Sequence, residues 1–578
     1  MLRADRGVYR PSVLPCEEGQ RRLPKLIGLA ASLVLACSGS TKSGTSGLAG
    51  SGGSGGTGEV AASGGTAGTS ATGGTAGDGA TGGATPGGNG GEAGADLGGS
   101  AASAGTGTGT GPICDAPALV AIAKPDQVVG DGTPGSCTEA ALQAAATAGG
   151  KITFACGAAP ITLTVTTTIT FTKETVLDGA NLVTLSGGKS ARILYLDSAY
   201  DQTTPRLTVE RLAFRDGMSP AGGDDTAQGG GAIYRDGGSL TVLACDFEDN
   251  HAPATGQDVA GGAIYGFGGG ETVIANSTFR RNSASDGGAV GSLNGDLTVI
   301  DSLFVDNAAT GTDGNPGNGG CGGAIYMDGG AETTTLCGDV IQGNTAGAIG
   351  GGFFRVSNSE DGTLTMDKSA VSDNVVAPVD SGNAGGMYLE GLAITMTAST
   401  VANNEAFYNG GLWISKREAN LTNVTIAGNT AFGSNGGGLW LAHEPTGTLT
   451  NVTIADNHST ADGQVAGAIF GDGLTLKNTL IAGNSAQYSP GCDGKHASGG
   501  GNLQWPDGAL CSDAPTVADP ELGALRDNGG PTETMALPAT SPALRLGTDC
   551  PPTDQRGRTR SEPCTAGAFE LGGPLEVP

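Results

Sequence analysis

The sequence contains few aromatic and few basic residues, and both shortages restrict its function. Aromatic residues make up 4% of the 578 residues and charged residues 15%. Lys and Arg number 29 against 57 Asp and Glu, a formal net charge of −28. Because no basic field exists to attract phosphates, we expect no nucleic-acid partner. We interpret the acidity as a well-solvated surface, with cation binding as the alternative.

Metal-binding patterns are also scarce. The four histidines are His251, His443, His458 and His496. No paired CxxC or Cys/His spacing of the kind that binds zinc is present. We therefore assign no metal site and no cofactor, and Ca²⁺ remains the one possible cation.

Glycine, by contrast, is abundant. It provides 107 of the 578 residues, against about 7% in an average protein. Together with the low charge, this composition favours either disorder or a repeat fold dominated by the backbone. The chain is also too long for one ordinary compact core.

The N-terminal region has the pattern of an export signal. A basic stretch, "RRLPK" at residues 21–25, precedes an apolar run at residues 26–36 that is too short to span a bilayer. The run ends in "VLAC" and resembles the lipobox of bacterial lipoproteins, although Leu35 is bulkier than the residue usual there. The resemblance implies that residues 1–37 are a signal peptide, that Cys37 is lipidated and that the protein resides at the outer membrane. Simple secretion is the alternative.

Residues 38–112 are almost entirely Gly, Ser, Thr and Ala. Such a segment cannot bury a core, so we predict a disordered tether. Its r.m.s. reach would be roughly 45–50 Å, enough to carry a folded domain clear of a lipid surface.

Ten further cysteines follow the tether. An even number in an exported chain predicts disulfides. Proximity in sequence favours the pairs Cys137–Cys156, Cys321–Cys337, Cys492–Cys511 and Cys550–Cys564, although sequence alone leaves the connectivity open, and Cys114 and Cys245 without a suggested partner.

A degenerate repeat fills the middle of the chain. Each copy has an apolar strand, an Asn three residues after an apolar residue, a polar loop, a Gly-Gly pair and a second strand. The nine asparagines of the repeat are Asn250, Asn282, Asn307, Asn344, Asn374, Asn404, Asn429, Asn457 and Asn484. All variation in repeat length falls in loops.

A repeat this short cannot bury its own apolar face and must stack on copies of itself. Since no helical period separates the strands, we predict an all-β, right-handed parallel β-helix over residues 151–500, with about 12–13 coils spaced by about 4.8 Å. Stacked asparagines would pass amide hydrogen bonds from coil to coil. Residues 113–150, with a short helix at 137–150, would cap the N-terminal end, and residues 501–578 would cap the C-terminal end.

The strand after Gly-Gly carries an aromatic residue at its third position in most copies. These residues are Tyr234, Tyr265, Tyr326, Phe354, Tyr388, Trp413, Trp440 and Phe470, and one copy has Gly291 instead. The flanking positions are apolar, so the alternation of strand side chains would direct the aromatic residues outward. Such a ladder either packs beneath loops or forms a binding stripe, in which Trp413 and Trp440 would be the most sensitive residues.

Three segments resemble known families. Elements such as "FEDN…GGAIY" resemble the repeats of chlamydial polymorphic outer membrane proteins, and the whole rod resembles the right-handed β-helix class that includes pectate lyases. "DPELGALRDNGGPTETMALPATSPALRLG", "CPPTDQRGRTR" and "TAGAFE" are similar to the choice-of-anchor Q region of bacterial surface proteins. This last resemblance implies a shared body with a variable surface anchor, and no particular activity.

Two functions remain at this point. The first is a monomeric, non-catalytic surface protein, adhesin-like, that binds a polysaccharide or a cell-surface partner and meets the membrane only through its lipid. The alternative is a Ca²⁺-dependent polysaccharide lyase, which needs clustered carboxylates and a basic residue. Its candidate residues are Asp224, Asp225, Asp313, Asp339, Asp367, Lys368, Lys416 and Lys477, and they form no evident pattern in the repeats.

Overall fold

The computed structural model describes residues 113–377 and 382–572. The predicted signal peptide, Cys37 and the tether lie outside the described residues. The described chain is a parallel β-solenoid of about 13 turns, so the predicted all-β solenoid is confirmed. Strand pairing runs from Gln127 to Val517, beyond the predicted limits of 151–500.

One side of the solenoid is an 11-stranded parallel sheet, here called sheet I. Its strands are Ile169–Phe171, Leu194–Asp197, Ile233–Asp236, Ile264–Phe267, Val290–Leu293, Ile325–Gly329, Phe353–Ser357, Met387–Glu390, Leu412–Ser415, Leu439–Ala442 and Ile469–Phe470.

A 26-stranded parallel sheet, sheet II, forms two further sides. It starts with Gln127–Val129, Gly150–Phe154, Ile161–Thr164, Thr175–Ser186 and Arg206–Arg215. It then divides into two columns. The first column contains Ser239–Leu243, Glu271–Ala275, Asp296–Ile300, Thr333–Cys337, Gly362–Asp367, Leu392–Thr397, Ala419–Thr422, Gly447–Thr450, Leu474–Lys477 and Ala497–Ser498. The second column contains Asp246–Glu248, Thr278–Arg280, Leu303–Val305, Val340–Gln342, Ala370–Ser372, Thr400–Ala402, Thr425–Ala427, Thr453–Ala455, Leu480–Ala482, Leu503–Trp505 and Thr516–Val517.

A narrow sheet III completes the coils. Its seven two-residue strands are Ser283–Ala284, Ala308–Ala309, Thr345–Ala346, Val375–Val376, Glu405–Ala406, Thr430–Ala431 and His458–Ser459. An antiparallel pair, Leu525–Arg526 with Thr534–Met535, and two 3₁₀ turns, Pro134–Ser136 and Asp225–Ala227, lie outside these three sheets.

Equivalent residues of successive coils stack in register, and the core runs along the axis. Phe247, for example, pairs with Phe214 on one side and Phe279 on the other, and all three are fully buried. Their rings stack in parallel at 4.7 Å between centroids. The strand spacing of a parallel sheet thus fixes the spacing of the core aromatics.

The predicted N-terminal helix is present as Glu139–Ala148. Thr138 caps it by accepting a hydrogen bond from the backbone N–H of Ala141 at 3.2 Å, and Gly149 ends it with a positive φ of 74°. Its buried residues, Leu142, Ala145 and Ala146, belong to the core of the solenoid. No helix in the described part of the chain is long and apolar enough to cross a membrane.

The described residues form four disulfides, and one predicted pair is wrong. Cys137–Cys156, Cys492–Cys511 and Cys550–Cys564 are bonded as suggested. Cys337, however, pairs with Cys114, 223 residues away, and Cys321 and Cys245 are buried free thiols. Proximity in sequence failed here because residues 113–126 fold back along the solenoid and bring Cys114 beside Cys337.

The segment predicted as the C-terminal cap contacts the side of the solenoid. Thr400 Oγ1 donates to the carbonyl of Glu533 at 2.7 Å, and Arg560 Nη2 donates to Asn423 Oδ1 at 2.7 Å. Farther along, Asn451 Nδ2 donates to the carbonyl of Thr565 at 3.0 Å. The segment therefore spans several coils rather than covering only the last one.

Candidate binding face

The repeated asparagines are fully engaged in the interior. Asn404, for example, donates from its backbone N–H to Asn429 Oδ1 at 3.0 Å and from Nδ2 to the same oxygen at 2.9 Å. Its Nδ2 also donates to the carbonyl of Val371 at 3.0 Å. The same contacts continue along the column of nine, and eight of them are at most 1% exposed. These amides hold the corner of each coil and leave no free group for a ligand.

The aromatic residues after Gly-Gly form one column of sheet I. Tyr388, Trp413, Trp440 and Phe470 stand in consecutive strands, directly opposite one another. The centroids of neighbouring rings lie 5.6, 4.9 and 4.3 Å apart. Tyr195, which sequence reasoning left out, extends the column at its N-terminal end and stacks on Tyr234 at 5.5 Å.

The column lies on the outer face of the sheet. In several strands of this column, both residues that flank the ring belong to the solenoid core, as Leu412 and Ile414 do beside Trp413. The rings of Tyr234, Tyr265, Tyr326 and Phe354 belong to a separate cluster. Alternation along each strand therefore places the aromatic side chains outside the core.

Loops divide this ladder into two halves. Tyr234, Tyr265, Tyr326 and Phe354 are 5%, 0%, 0% and 1% exposed. One covering loop is held down by Arg192, whose Nη2 donates to the carbonyls of Ala227 at 2.6 Å and Gly229 at 2.8 Å. We call these four residues the covered half.

The second half is less deeply buried, although Trp413 Nε1 is buried and has no hydrogen-bond partner among the described residues. Tyr388, Trp413, Trp440 and Phe470 are all partly exposed. The segments before Trp413 and Trp440 are short, "EAFYNGG" and "TAFGSNGGG". We call these four residues the open half.

The gap at Gly291 has a steric cause. A Cβ on Gly291 would lie 2.5 Å from the Cβ of Ala260 and 2.9 Å from Cδ2 of Tyr265. Ala260 is fully buried in the loop that covers the ladder at this level. The loop fills the space that an aromatic side chain takes in the other coils.

An acidic column runs beside the aromatic one, and sequence reasoning missed it. Carboxylates stand two residues after several of the tyrosines, on the same face of the sheet. Tyr388 Oη donates to Glu390 Oε2 at 2.7 Å, and Tyr195 Oη lies 3.2 Å from Asp197 Oδ1. The signal was a Tyr-x-Asp/Glu pattern in "YLD", "YRD", "YMD" and "YLE".

A charged network borders the open half. Lys416 Nζ lies 2.7 Å from Glu390 Oε1 and 3.5 Å from Glu360 Oε1. The hydrogen bond to Glu390 raises the pKa of Lys416. Burial alone would raise the pKa of Glu390, but hydrogen bonds from Lys416 and Tyr388 outweigh it and lower that pKa. Lys416 and Glu390 are therefore both charged at neutral pH. Next to them, Ser415 Oγ lies 3.0 Å from His443 Nδ1.

A buried acidic group lies beneath the loops of the covered half. Tyr326 Oη donates to Asp258 Oδ1 at 2.8 Å, and the backbone N–H of Cys321 donates to Asp286 Oδ1 at 2.8 Å. Burial raises the pKa of Asp286 to about 8. Tyr265 Oη is buried beside this group and has no hydrogen-bond partner among the described residues. The group is enclosed, so it serves the packing of the loops.

The residues proposed for a lyase are not assembled into one site. Asp339 is buried and accepts hydrogen bonds from the backbone N–H groups of Ser302 at 2.9 Å and Cys337 at 3.0 Å. Asp367 pairs with Lys368 at 3.4 Å on the first column of sheet II. The remaining candidates are placed as follows: Asp224 and Asp225 at a 3₁₀ turn, Asp313 in a loop, Lys477 beside Asp549, and Lys416 beside the open half. Within residues 113–377 and 382–572, no three His, Cys, Asp or Glu side chains are grouped closely enough to hold a metal ion.

The remaining histidines have local partners or are enclosed. His251 Nδ1 lies 2.8 Å from Ser283 Oγ, and His458 Nδ1 lies 2.7 Å from Ser485 Oγ. His496 is buried, which lowers its pKa to about 4. None of these three lies in a pair with a candidate carboxylate.

Comparison with known proteins identifies no family. No family model matches the chain. No curated protein matches it either.

Several solved structures resemble the fold at low identity. They include the A-module of mannuronan C-5 epimerase AlgE4 from Azotobacter vinelandii, with 14% identity, 68% of this chain and 100% of that chain covered, and a TM-score of 0.37. The surface adhesin PfbA of Streptococcus pneumoniae has 12% identity, covers 71% and 100% of the two chains and has a TM-score of 0.29. Pectate lyase Pel9A has 12% identity, covers 73% and 88%, and has a TM-score of 0.26. These similarities carry no functional inference for this chain.

Proposed function

We propose that this protein is a non-catalytic surface protein that binds an extended polysaccharide through the open half of its aromatic ladder. The observation that carries the proposal is the row of Tyr388, Trp413, Trp440 and Phe470, partly exposed and spaced by 4.3 to 5.6 Å. Flat rings suit the apolar faces of sugars, and an exposed aromatic row with a polar border is typical of an interaction site. Because the rings stand in a regular row, they can contact several sugar units of one polysaccharide chain.

Features of the structure and of the sequence support a location at the cell surface. Four disulfides favour an exported protein, since they persist in oxidising compartments. The lipobox-like Cys37, the tether and the choice-of-anchor Q-like C-terminal region support a lipid-anchored protein at the outer membrane, with polymorphic outer membrane protein-like repeats as its body. Cys37→Ala should move the protein from the membrane fraction to the medium, and an unmodified mature N-terminus elsewhere would contradict lipidation.

The binding test replaces both tryptophans of the open half. Trp413→Ala/Trp440→Ala should abolish binding to glycan polymers while the far-UV circular dichroism remains that of the wild type. The matched control is Trp505→Ala, because Trp505 is the third tryptophan, is 41% exposed and lies outside the ladder. Unchanged glycan binding by the double variant would rule out the open half as the site.

The lyase alternative has one supporting observation. Lys416, a basic candidate, lies in the network that borders the open half. Its ion pairs with Glu390 and Glu360 hold it charged and unsuited to act as a base. We expect no rise in ultraviolet absorbance from unsaturated products on pectate or alginate, and a rise that chelation of Ca²⁺ abolishes would establish the alternative.

A further inference from the structure

The charge around the open half is predominantly negative. Glu360 and Glu390 lie at the end of Tyr388 and Trp413, and both contact Lys416. Asp472 and Asp493 lie at the end of Phe470: Asp472 follows Phe470 by two residues, and Asp493 Oδ1 accepts from the backbone N–H of Gly471 at 2.7 Å. Lys416 is thus paired with the two carboxylates at the Tyr388 end, and two more carboxylates lie at the Phe470 end.

The carboxylates at the two ends differ in one respect. Those at the Tyr388 end are paired with Lys416, whereas Asp472 and Asp493 form no ion pair with a Lys, Arg or His within the described part of the chain. Both are exposed. Burial and the nearby Asp472 raise the pKa of Asp493, although hydrogen bonds oppose the shift. A positive charge placed between these two carboxylates would relieve their repulsion.

We infer that the polysaccharide bound by the open half carries protonated amino groups. This inference rests on the proposed function and specifies its ligand. Ring faces of Trp and Tyr attract cations, and carboxylates beside them add direct pairing, so an ammonium group on a sugar meets complementary charge along the row. A polyuronate would instead meet like charge, which costs affinity.

The arrangement also predicts where the amino groups bind. The unpaired carboxylates, Asp472 and Asp493, offer acceptors beside the backbone that follows Phe470. Glu390 already accepts a hydrogen bond from Tyr388 and is paired with Lys416, so it contributes mainly to the negative electrostatic potential around the open half. Asp472 and Asp493 are therefore the residues that select an amino sugar, and Trp413 and Trp440 are the residues that hold any sugar ring.

The experiment compares three hexasaccharides by titration calorimetry with the whole mature chain. They are a β-1,4 glucosamine oligomer, its fully N-acetylated form and an oligogalacturonate. We expect the glucosamine oligomer to bind about tenfold more tightly than the acetylated one, with added salt reducing the difference, and the uronate to bind least. Asp472→Asn/Asp493→Asn should abolish the difference in affinity between the glucosamine oligomer and its acetylated form. Asp513→Asn should leave that difference unchanged, because Asp513 is an exposed aspartate paired with Lys495.

The outcomes separate the two proposals. If the acetylated or the uronate oligomer binds at least as tightly as the glucosamine oligomer, the inference is overturned. If that binding is also lost in Trp413→Ala/Trp440→Ala, the proposed function is retained. Tenfold selectivity that persists in the double Asn variant also overturns the inference. Absence of binding by all three oligomers overturns the inference and counts against the proposed function itself.

Discussion

At the residue scale, the interior asparagines show how a glycine-rich chain with few aromatics holds a long rod together. Within the column, each Oδ1 accepts two hydrogen bonds from the preceding Asn, and each Nδ2 donates to the next Asn and to a backbone carbonyl; Asn250 and Asn484 at the two ends lack one of these links. Buried polar groups are costly unless every donor and acceptor is satisfied. Here the side-chain amide of each asparagine is hydrogen-bonded to the asparagines of the adjacent coils. The hydrogen bonding of each one therefore depends on its neighbours in the column.

We predict a large loss of stability on breaking this column in the middle. Asn429→Ala removes the acceptor of the backbone N–H and Nδ2 of Asn404, at 3.0 and 2.9 Å, and leaves both donors buried. The free energy of unfolding should fall by about 2–4 kcal/mol, measured by urea denaturation. Asn420→Ala is the control, because Asn420 is partly exposed on sheet II and should cost less than about 1 kcal/mol. Equal losses in both variants would contradict the role of the column.

A second prediction concerns Asp286, whose folded pKa of about 8 lies above its ordinary value of 3.8. The groups that interact with it are Asp258, Tyr265, Tyr326 and Cys321. Because the folded state holds the proton more tightly, its contribution to stability is complete below about pH 4. That contribution declines as the pH rises and is lost once the pH passes about 8.

The local readout is hydrogen exchange at Cys321, whose amide donates to Asp286. After correction for intrinsic rates, protection of this amide should fall between pH 6 and pH 8.5 in the wild type and stay constant in Asp286→Asn. Asp339→Asn removes a buried aspartate elsewhere and should keep the wild-type profile. A flat wild-type profile would be inconsistent with the raised pKa.

At the element scale, the strands of sheet I differ in the exposure of their aromatic side chains, and the loops before the Gly-Gly pairs contribute to this difference. The strands follow one pattern, yet Tyr265 and Tyr326 are fully enclosed and Trp413 and Trp440 are partly exposed. In the covered half, contacts such as those of Arg192 with the carbonyls of Ala227 and Gly229 hold a loop over the rings. The same strand pattern therefore occurs in a covered half and in an open half of the ladder.

We expect Gly291 to tolerate no side chain. In Gly291→Ala the new Cβ would lie 2.5 Å from the Cβ of Ala260, so either the loop or the strand must move. Overpacking of this kind should cost about 1–3 kcal/mol in unfolding free energy. Gly135→Ala is the control, since a Cβ there meets nothing within 4 Å. A wild-type melting temperature in Gly291→Ala would show that the loop is not packed on the strand.

Sequence periodicity predicted the coils, the asparagine positions and the alignment of the aromatic residues, because all three depend on contacts between neighbouring repeats. It did not predict which rings are accessible, since loop conformation lacks a repeating pattern. The Cys114–Cys337 bond was missed for a related reason: residues 113–126 are not part of a repeat and their path is set by contacts with distant coils. The acidic column was present as Tyr-x-Asp/Glu but becomes evident only when strands are placed side by side.

At the scale of the whole molecule, the chain segments before and after the solenoid both pack along the side of sheet II. Asp301 accepts hydrogen bonds from the backbone N–H groups of Ile113 and Cys114, both at 3.3 Å, and Glu210 Oε2 accepts from Val120 at 2.9 Å. Coils of a solenoid otherwise contact only adjacent coils. A segment that crosses several coils links non-adjacent ones and should make the rod unfold more cooperatively.

The last prediction tests this link through its covalent bond. Cys114→Ser/Cys337→Ser opens a loop closed over 223 residues, for which chain entropy predicts a loss of up to about 5 kcal/mol. Calorimetry should show a lower and broader transition, and limited proteolysis should cleave within residues 113–126, which the bond holds against Asp301. Cys550→Ser/Cys564→Ser opens a loop of 14 residues, so it should cost about 3 kcal/mol and leave residues 113–126 protected. If the long-range variant melts like the wild type and resists the protease, hydrogen bonds alone hold the segment and the disulfide does not couple the coils.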